Sequence, residues 1–154
     1  MVKFKVNRGD FRRAQKSLDD IVQQVQRRAM KQALMKAAQP GLKSARAKVP
    51  TRYGHLKKAL KKKGKTFGKF NAFVIVGPDR NYAAQVDGKT VKPVKYAHLV
   101  EFGTIDQAPD AYMRPAFESE TAEMKKIYER EIGLALEKQA KSAKRRMLRK
   151  ISRR

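Results

Sequence analysis

Few side chains in this chain could do chemistry. There are two histidines, His55 and His98. His98 stands three residues before Glu101 in Tyr-Ala-His-Leu-Val-Glu-Phe-Gly. A His and a carboxylate at i, i+3 on a helix share a face and could share a proton or a metal ion. A single pair lacks the two or three further ligands a metal needs, which favours a structural hydrogen bond. His55 lies in Tyr-Gly-His-Leu, on a basic loop. Asp106 and Asp110 sit in a loop with no second carboxylate pair. Gly64 and Gly68 are too sparse to cradle a phosphate, and no Gly-Lys-Ser/Thr occurs. Gly54 and Gly103 read as turn glycines. The chain has no Cys, which excludes disulfides, thiolate zinc sites and Cys nucleophiles. These residues predict no enzyme, no cofactor and no metal.

Charge offers another chemistry. The 154 residues hold 38 Lys+Arg and 14 Asp+Glu, a net charge of +24. Such an excess points first to a polyanion. It is unevenly placed. Residues 1–70 hold 21 basic and 3 acidic residues, net +18. Residues 71–140 hold 9 and 11, net −2, and residues 141–154 hold 8 and none, net +8. The densest block is Lys57, Lys58, Lys61, Lys62, Lys63, Lys65 and Lys69. The second is Lys141, Lys144, Arg145, Arg146, Arg149, Lys150, Arg153 and Arg154. Like charges in a block repel, so each block is either solvated or waiting for a partner. Only Phe67 and Phe70 sit among the first, a weak basis for a platform that stacks single strands.

These groups must be carried by elements. Val2–Val6 alternates apolar and charged residues, the period of a half-buried strand. Asn7 to Asp10 reads as a turn, with Asp10 able to cap a helix. From Phe11, apolar residues recur in steps of three and four to Ala37, which predicts a long amphipathic helix. Pro40-Gly41 is expected to kink or break it. Thr51–Lys65 reads as loop, short helix (Leu56 to Leu60) and loop. Residues 66–77 have strand character. Residues 81–86 could form a second strand before the turn signal Asp87-Gly88. Val94–Phe102 predicts a short helix closed by Gly103. A loop from Thr104 to Met113 follows. Pro115 suits the first position of a last helix, whose stripe runs through Phe117, Thr121, Met124, Ile127 and Leu134 to about residue 149.

With 41% hydrophobic residues the chain can build one core. No apolar run is long enough to span a membrane, no signal-peptide stretch opens the chain, and a soluble cytoplasmic protein is expected. The fold class is α+β: two long helices packed on a small antiparallel sheet, with a short helix before a Glu-Phe-Gly-Thr loop. Residues 1–140 read as a single domain and 141–154 as a basic helical extension. Phe102 and Leu99 are expected in the core, and Glu101 is expected to pair with Arg114.

Two ordered motifs carry a resemblance. The first is Tyr96-Ala97-His98-Leu99-Val100-Glu101-Phe102-Gly103-Thr104, then Ala108-Pro109 and Tyr112-Met113-Arg114-Pro115-Ala116-Phe117. The second is Val49-Pro50-Thr51-Arg52-Tyr53-Gly54-His55-Leu56. Together they resemble the signature of the HK97-type head–tail joining proteins of phages, the neck or tail-completion proteins, over about residues 9–135. The lysine-rich stretch after Leu56 and the long basic C-terminal extension depart from that pattern. The resemblance implies a structural virion protein at the neck, assembled in the host cytoplasm. It implies a homo-oligomeric ring, a hexamer by preference or a dodecamer, joining the portal side of the capsid to the tail. Its neighbours would be head-completion, tail-terminator or tail-tube proteins.

On this reading Glu101, Phe102, Gly103, Thr104, Tyr112 and Arg114 belong to a contact loop between subunits or partners. Lys57, Lys58, Lys61, Lys62, Lys63, Lys65, Arg145, Arg146, Arg149 and Lys150 would face acidic partners, solvent or a parked end of genomic DNA. A uniformly basic lumen would grip DNA that must slide. The alternative is a sequence-independent nucleic-acid-binding protein, which the charge supports but no helix-turn-helix, zinc-finger or aromatic RNA-binding motif accompanies.

Overall fold

The computed structural model describes residues 8–68 and 71–151. The strand expected at Val2–Val6 lies outside the described residues, as do Lys69, Phe70, Arg153 and Arg154. Helix α1 spans Arg8–Lys48, and after a 3-10 turn at Thr51–Tyr53 comes α2, Gly54–Ala59. Four strands follow: β1 (Leu60–Phe67), β2 (Asn71–Pro78), β3 (Ala84–Val86) and β4 (Lys89–Val91). A second 3-10 turn at Pro93–Lys95 leads to α3, Ala97–Phe102, and the long α4, Met113–Ile151. The class is α+β, as the patterning predicts.

The two long helices lie antiparallel. Gly41 meets the Phe117 ring near one end, Lys36 meets Glu131, and Ile21 and Val25 share a groove with Leu136 and Ala140 towards the other. α1 buries Ala29, Ala33, Ala37, Ala38, Leu42, Ala45 and Val49, in steps of three and four. Small side chains along this seam let two helices pack closely. A Cβ on Gly41 would stand 2.8 Å from the Phe117 ring, so any larger residue has to push that ring aside. Glu131 is 8% exposed, and Lys36 Nζ donates to it at 2.5 Å. That hydrogen bond and the lysine's charge hold its carboxyl below the usual range.

Pro40 does not end α1. A proline inside a helix costs about 3 kcal/mol, through a lost bond and a clash one turn back. Leu42 and Val49, both buried beyond it, regain about 1.5–3 kcal/mol each. Burial on both sides therefore outweighs the local defect. Asp10 lies inside the first turns of α1 rather than before it, so the expected turn at Asn7–Asp10 gives way to helix from Arg8. Nor does the stripe bury over its whole length. In α1 the described side chains before Ala29 are exposed or half-buried, with Leu18 and Val22 more than half exposed. In α4 the buried positions are Ala116, Glu131 and Ala135, while Leu134 faces out. Beyond the core the helices thus form a two-helix arm with apolar residues uncovered.

The expected single strand at 66–77 is half of a hairpin. β1 and β2 pair antiparallel from Leu60 opposite Pro78 to Phe67 opposite Asn71. The lysines expected in a loop are therefore on α2 (Lys57, Lys58) and β1 (Lys61, Lys62, Lys63, Lys65). β3 and β4 form a separate two-stranded ribbon, so the described strands make two hairpins and not one sheet. Asp87 (φ 49°) and Gly88 (φ 71°) form its two-residue turn, both left-handed as the type I′ geometry requires. Gly54, read as a turn glycine, has an ordinary helical φ of −53°.

The core lies where α1, α2, α3 and the start of α4 converge. Leu42, Ala45, Val49, Leu56, Leu60, Ala97, Val100, Tyr112 and Ala116 fill it. Arg46 crosses it and donates to the Leu60 carbonyl, tying α1 to the start of β1.

Candidate assembly site

The loop between α3 and α4 is held by one carboxylate. Glu101 Oε2 accepts the amides of Tyr112 and Met113, both at 2.9 Å, and Oε1 accepts the Arg114 amide at 3.0 Å. α4 begins at Met113, so Glu101 satisfies donors its first turn would leave unpaired. Pro115 has no amide hydrogen to satisfy and stands third in the helix, not first. Desolvation pushes the Glu101 carboxyl up, but the three amides and the charge of Arg114 outweigh it and hold it below the usual range. The expected pair with Arg114 is therefore made through the backbone amide, and the guanidinium contributes only its charge at a distance. With Glu101 committed to this cap, His98 remains exposed on the outer side of α3.

Gly103 turns the chain after α3. Its φ of 78° is left-handed, and a Cβ there would stand 2.7 Å from the Gln107 carbonyl and 2.8 Å from the Pro109 nitrogen. Thr104 N donates to Gln107 O at 2.9 Å, closing a small turn, and Asp110 N donates to Val100 O at 2.9 Å. The second motif braces the same loop. Gln107 Nε2 donates to Tyr53 Oη at 3.2 Å, Arg52 stands 3.7 Å from Asp110, and the Tyr53 and Tyr96 rings lie 5.8 Å apart. The two sequence motifs, over 40 positions apart, thus meet in space around one loop.

Burial within this site differs from expectation. Tyr112 is 2% exposed and belongs to the core, so it supports the loop from beneath instead of facing a partner. Burial, with Glu101 adding negative charge nearby, raises its phenol pKa to about 12. Leu99 and Phe102, expected inside, are 41% and 66% exposed. α3 has six residues and two apolar pairs at i, i+3. Ala97 and Val100 turn inward, which leaves Leu99 and Phe102 outside. Ile105, at the tip of the Thr104–Gln107 turn, is fully exposed. Sequence reasoning missed Ile105. An isoleucine flanked by Thr and Asp in a glycine-closed turn was the available signal.

The basic hairpin has two faces. Lys62 turns towards α1 and donates to the Met35 carbonyl at 2.5 Å, and desolvation lowers its pKa. It is a structural lysine. Gly64 sits against Lys31 and Met35 on the same side. The outer face carries Lys61, Lys63 and Lys65 with Phe67, Phe73 and Ile75, all exposed. Lys61 is paired with Asp79 at 2.7 Å, and the Phe67 and Phe73 rings meet edge to face at 5.5 Å. Arg145, Arg146, Arg149 and Lys150 fall in the last turns of α4 and not on this hairpin. His55 stays near Tyr82, with Nδ1 3.5 Å from the phenol oxygen. Among the described residues no three metal-ligating side chains cluster, and no helix is long and apolar enough to cross a membrane.

Residues 12–103, more than half of the chain, match the family model of the HK97-gp10-like proteins, described as a candidate tail component of bacteriophage. The matched stretch runs from the first turns of α1 to the Gly103 turn, and so holds the second motif and the Tyr96–Gly103 part of the first. No curated protein and no solved structure matches the chain.

Proposed function

The chain belongs to the HK97-gp10-like family of bacteriophage tail components, and on that premise we propose that it is a ring-forming head–tail connector of the virion neck. Its work is scaffolding. One surface meets the portal or head-completion side, another meets the tail terminator or tube, and subunits close on one another around the DNA path. A closed ring needs a heterologous contact, with different patches on the two sides of each joint. The observation that carries the reading is the braced loop at 101–110. A carboxylate cap, a left-handed glycine and the Tyr53–Gln107 bond hold it rigid, while its apolar tip points into solvent. Rigid exposed apolar residues mark contact surfaces. Catalysis has no part in this reading, and the ring has six subunits by preference or twelve.

Mass measurement and negative-stain imaging of the purified protein test it. Discrete rings are the expected result. A monomer at all concentrations would refute the connector reading.

The outer face of the β1–β2 hairpin favours a second reading, contact with nucleic acid. Lysines interleaved with Phe67 and Phe73 offer both charge and stacking surface. Duplex binding that falls steeply with salt, in a protein that forms no rings, would establish it. Within the connector reading the same face meets an acidic neighbour. Reversing Lys63 and Lys65 to Glu then impairs head–tail joining while the fold, which uses Lys62, persists.

A further inference from the structure

Two apolar surfaces have no partner among the described residues. One is the tip of the braced loop, where Leu99, Phe102 and Ile105 stand exposed. The other is a groove of about 740 Å³ along the two-helix arm, lined chiefly by Ile21, Val22, Val25, Leu136, Ala140 and Leu148. Val22 and Leu148 are 54% and 56% exposed. Gln26 also lines the groove, and its Oε1 is buried with no hydrogen-bond partner among the described residues. Two helices cannot cover their own apolar seam, and such a seam is completed by a further element.

The surroundings of these surfaces have opposite charge. Residues 96–113 contain Glu101, Asp106 and Asp110 and no Lys or Arg; Glu101 is committed to the α4 amides and Asp110 faces Arg52 at 3.7 Å, so Asp106, next to Ile105, supplies the negative charge at the tip. Glu137 and Lys144 line the groove, and beyond Glu137 residues 138–151 of α4 contain seven Lys or Arg and no acid, net +7. Two arms laid groove to groove would set two such basic stretches against each other. Two loops laid tip to tip would oppose their acids. The pairing without like-charge repulsion is loop to groove. It cannot form within one chain. The loop is anchored at Met113 and the groove is centred near Ala140, about 40 Å along α4 at 1.5 Å per residue.

We infer that the occupant of the groove is the α3–α4 loop of a second copy, with Ile105 and Phe102 seated between α1 and α4 of the neighbour and Asp106 set among its arm's basic residues. The contact joins different patches, so it propagates from copy to copy, and it closes as a ring when the rotation between neighbours divides a full turn. This rests on the connector reading above and names the joint it requires. It also gives the C-terminal basic block a partner of this chain's own making.

The absence of cysteine makes the joint directly testable. Ile105→Cys and Val22→Cys are made as single variants, mixed in equal amounts, and treated with a short bismaleimide. Covalent dimers in the mixture, with none from either variant alone, are expected, and the double variant is expected to give a ladder of linked subunits. Ile105→Asp and Val22→Asp are expected to lose the ring and leave a folded monomer, with the far-ultraviolet circular dichroism of the wild type because both side chains lie on the surface of the subunit. Higher ionic strength is expected to weaken the joint. Rings that form without the Ile105–Val22 link, or that persist in Ile105→Asp, overturn this joint and leave the connector reading standing. Links between two copies of Ile105→Cys, or between two copies of Val22→Cys, overturn it in favour of a symmetric dimer. A cross-link-free monomer at every concentration overturns both.

Discussion

Glu101→Ala removes the acceptor for three amides at once. Hydrogen bonds to a charged group contribute about 1.5–3 kcal/mol each, and a buried donor left unpaired costs about 1–3 kcal/mol. The Arg114 amide lies in an exposed pair, where water can replace the carboxylate. The Tyr112 and Met113 amides are part-buried, and those two decide the loss. Adding the interaction of the carboxylate with the positive end of α4, about 0.3–1 kcal/mol, the expected destabilisation is about 3 kcal/mol. For a chain of this size that lowers the melting temperature by about 6–12 °C. Thermal unfolding followed by circular dichroism at fixed protein concentration measures it. The effect has a pH signature. The Glu101 carboxyl titrates below its unfolded value, so its contribution is complete above about pH 4.3 and is lost as pH falls through the folded value. The gap between wild type and variant is therefore full at neutral pH and closes in acid. Arg114→Ala is expected to change stability by less than about 0.5 kcal/mol, because its side chain does not make the bond. A gap for Glu101→Ala that stays constant into acid, or an equal loss for Arg114→Ala, would refute the capping argument.

Other expectations follow from the same geometry. Gly103→Ala combines a left-handed φ with a Cβ 2.7 Å from a carbonyl, and is expected to cost about 2–4 kcal/mol in urea unfolding. Gly41→Ala forces the Phe117 ring away from α1, an overpacking cost of about 1–3 kcal/mol visible as a lower denaturation midpoint. Tyr112, with its phenol pKa raised to about 12, stabilises the fold fully below the unfolded value of about 10 and loses that contribution as pH rises from there towards 12. Ultraviolet titration of wild type against Tyr112→Phe is expected to show one late-titrating phenol missing from the variant.

The long helices were legible because each commits apolar residues to one side over many turns. β2 was legible through Phe73, Val74, Ile75 and Val76. β1 was not, because Lys-Lys-Lys-Gly-Lys carries no apolar alternation and becomes a strand only by pairing with β2. The continuation of α1 through Pro40 is not legible locally, because it depends on the burial of Ala37, Ala38, Leu42 and Val49 on either side. The motif around Glu101 was legible as a unit, but its bonding was not. Sequence displays side chains, whereas the partners of Glu101 are amides delivered by the start of α4. The outward turn of Leu99 and Phe102 was illegible for a similar reason. A helix of six residues offers two apolar pairs, and the neighbouring elements choose which one is buried.

The pairing of α1 with α4 also sets the order in which the protein can come into being. Lys36 meets a partner 95 positions later in the chain. At about 5–20 residues per second, a ribosome takes about 5–20 s to cover that distance. For that interval the alanine seam of α1 has been synthesised and its partner has not. Contacts this distant in sequence also close slowly, because a long loop must be ordered before any pairing rewards it. A nascent chain therefore cannot present the finished two-helix arm until the later turns of α4 have been made.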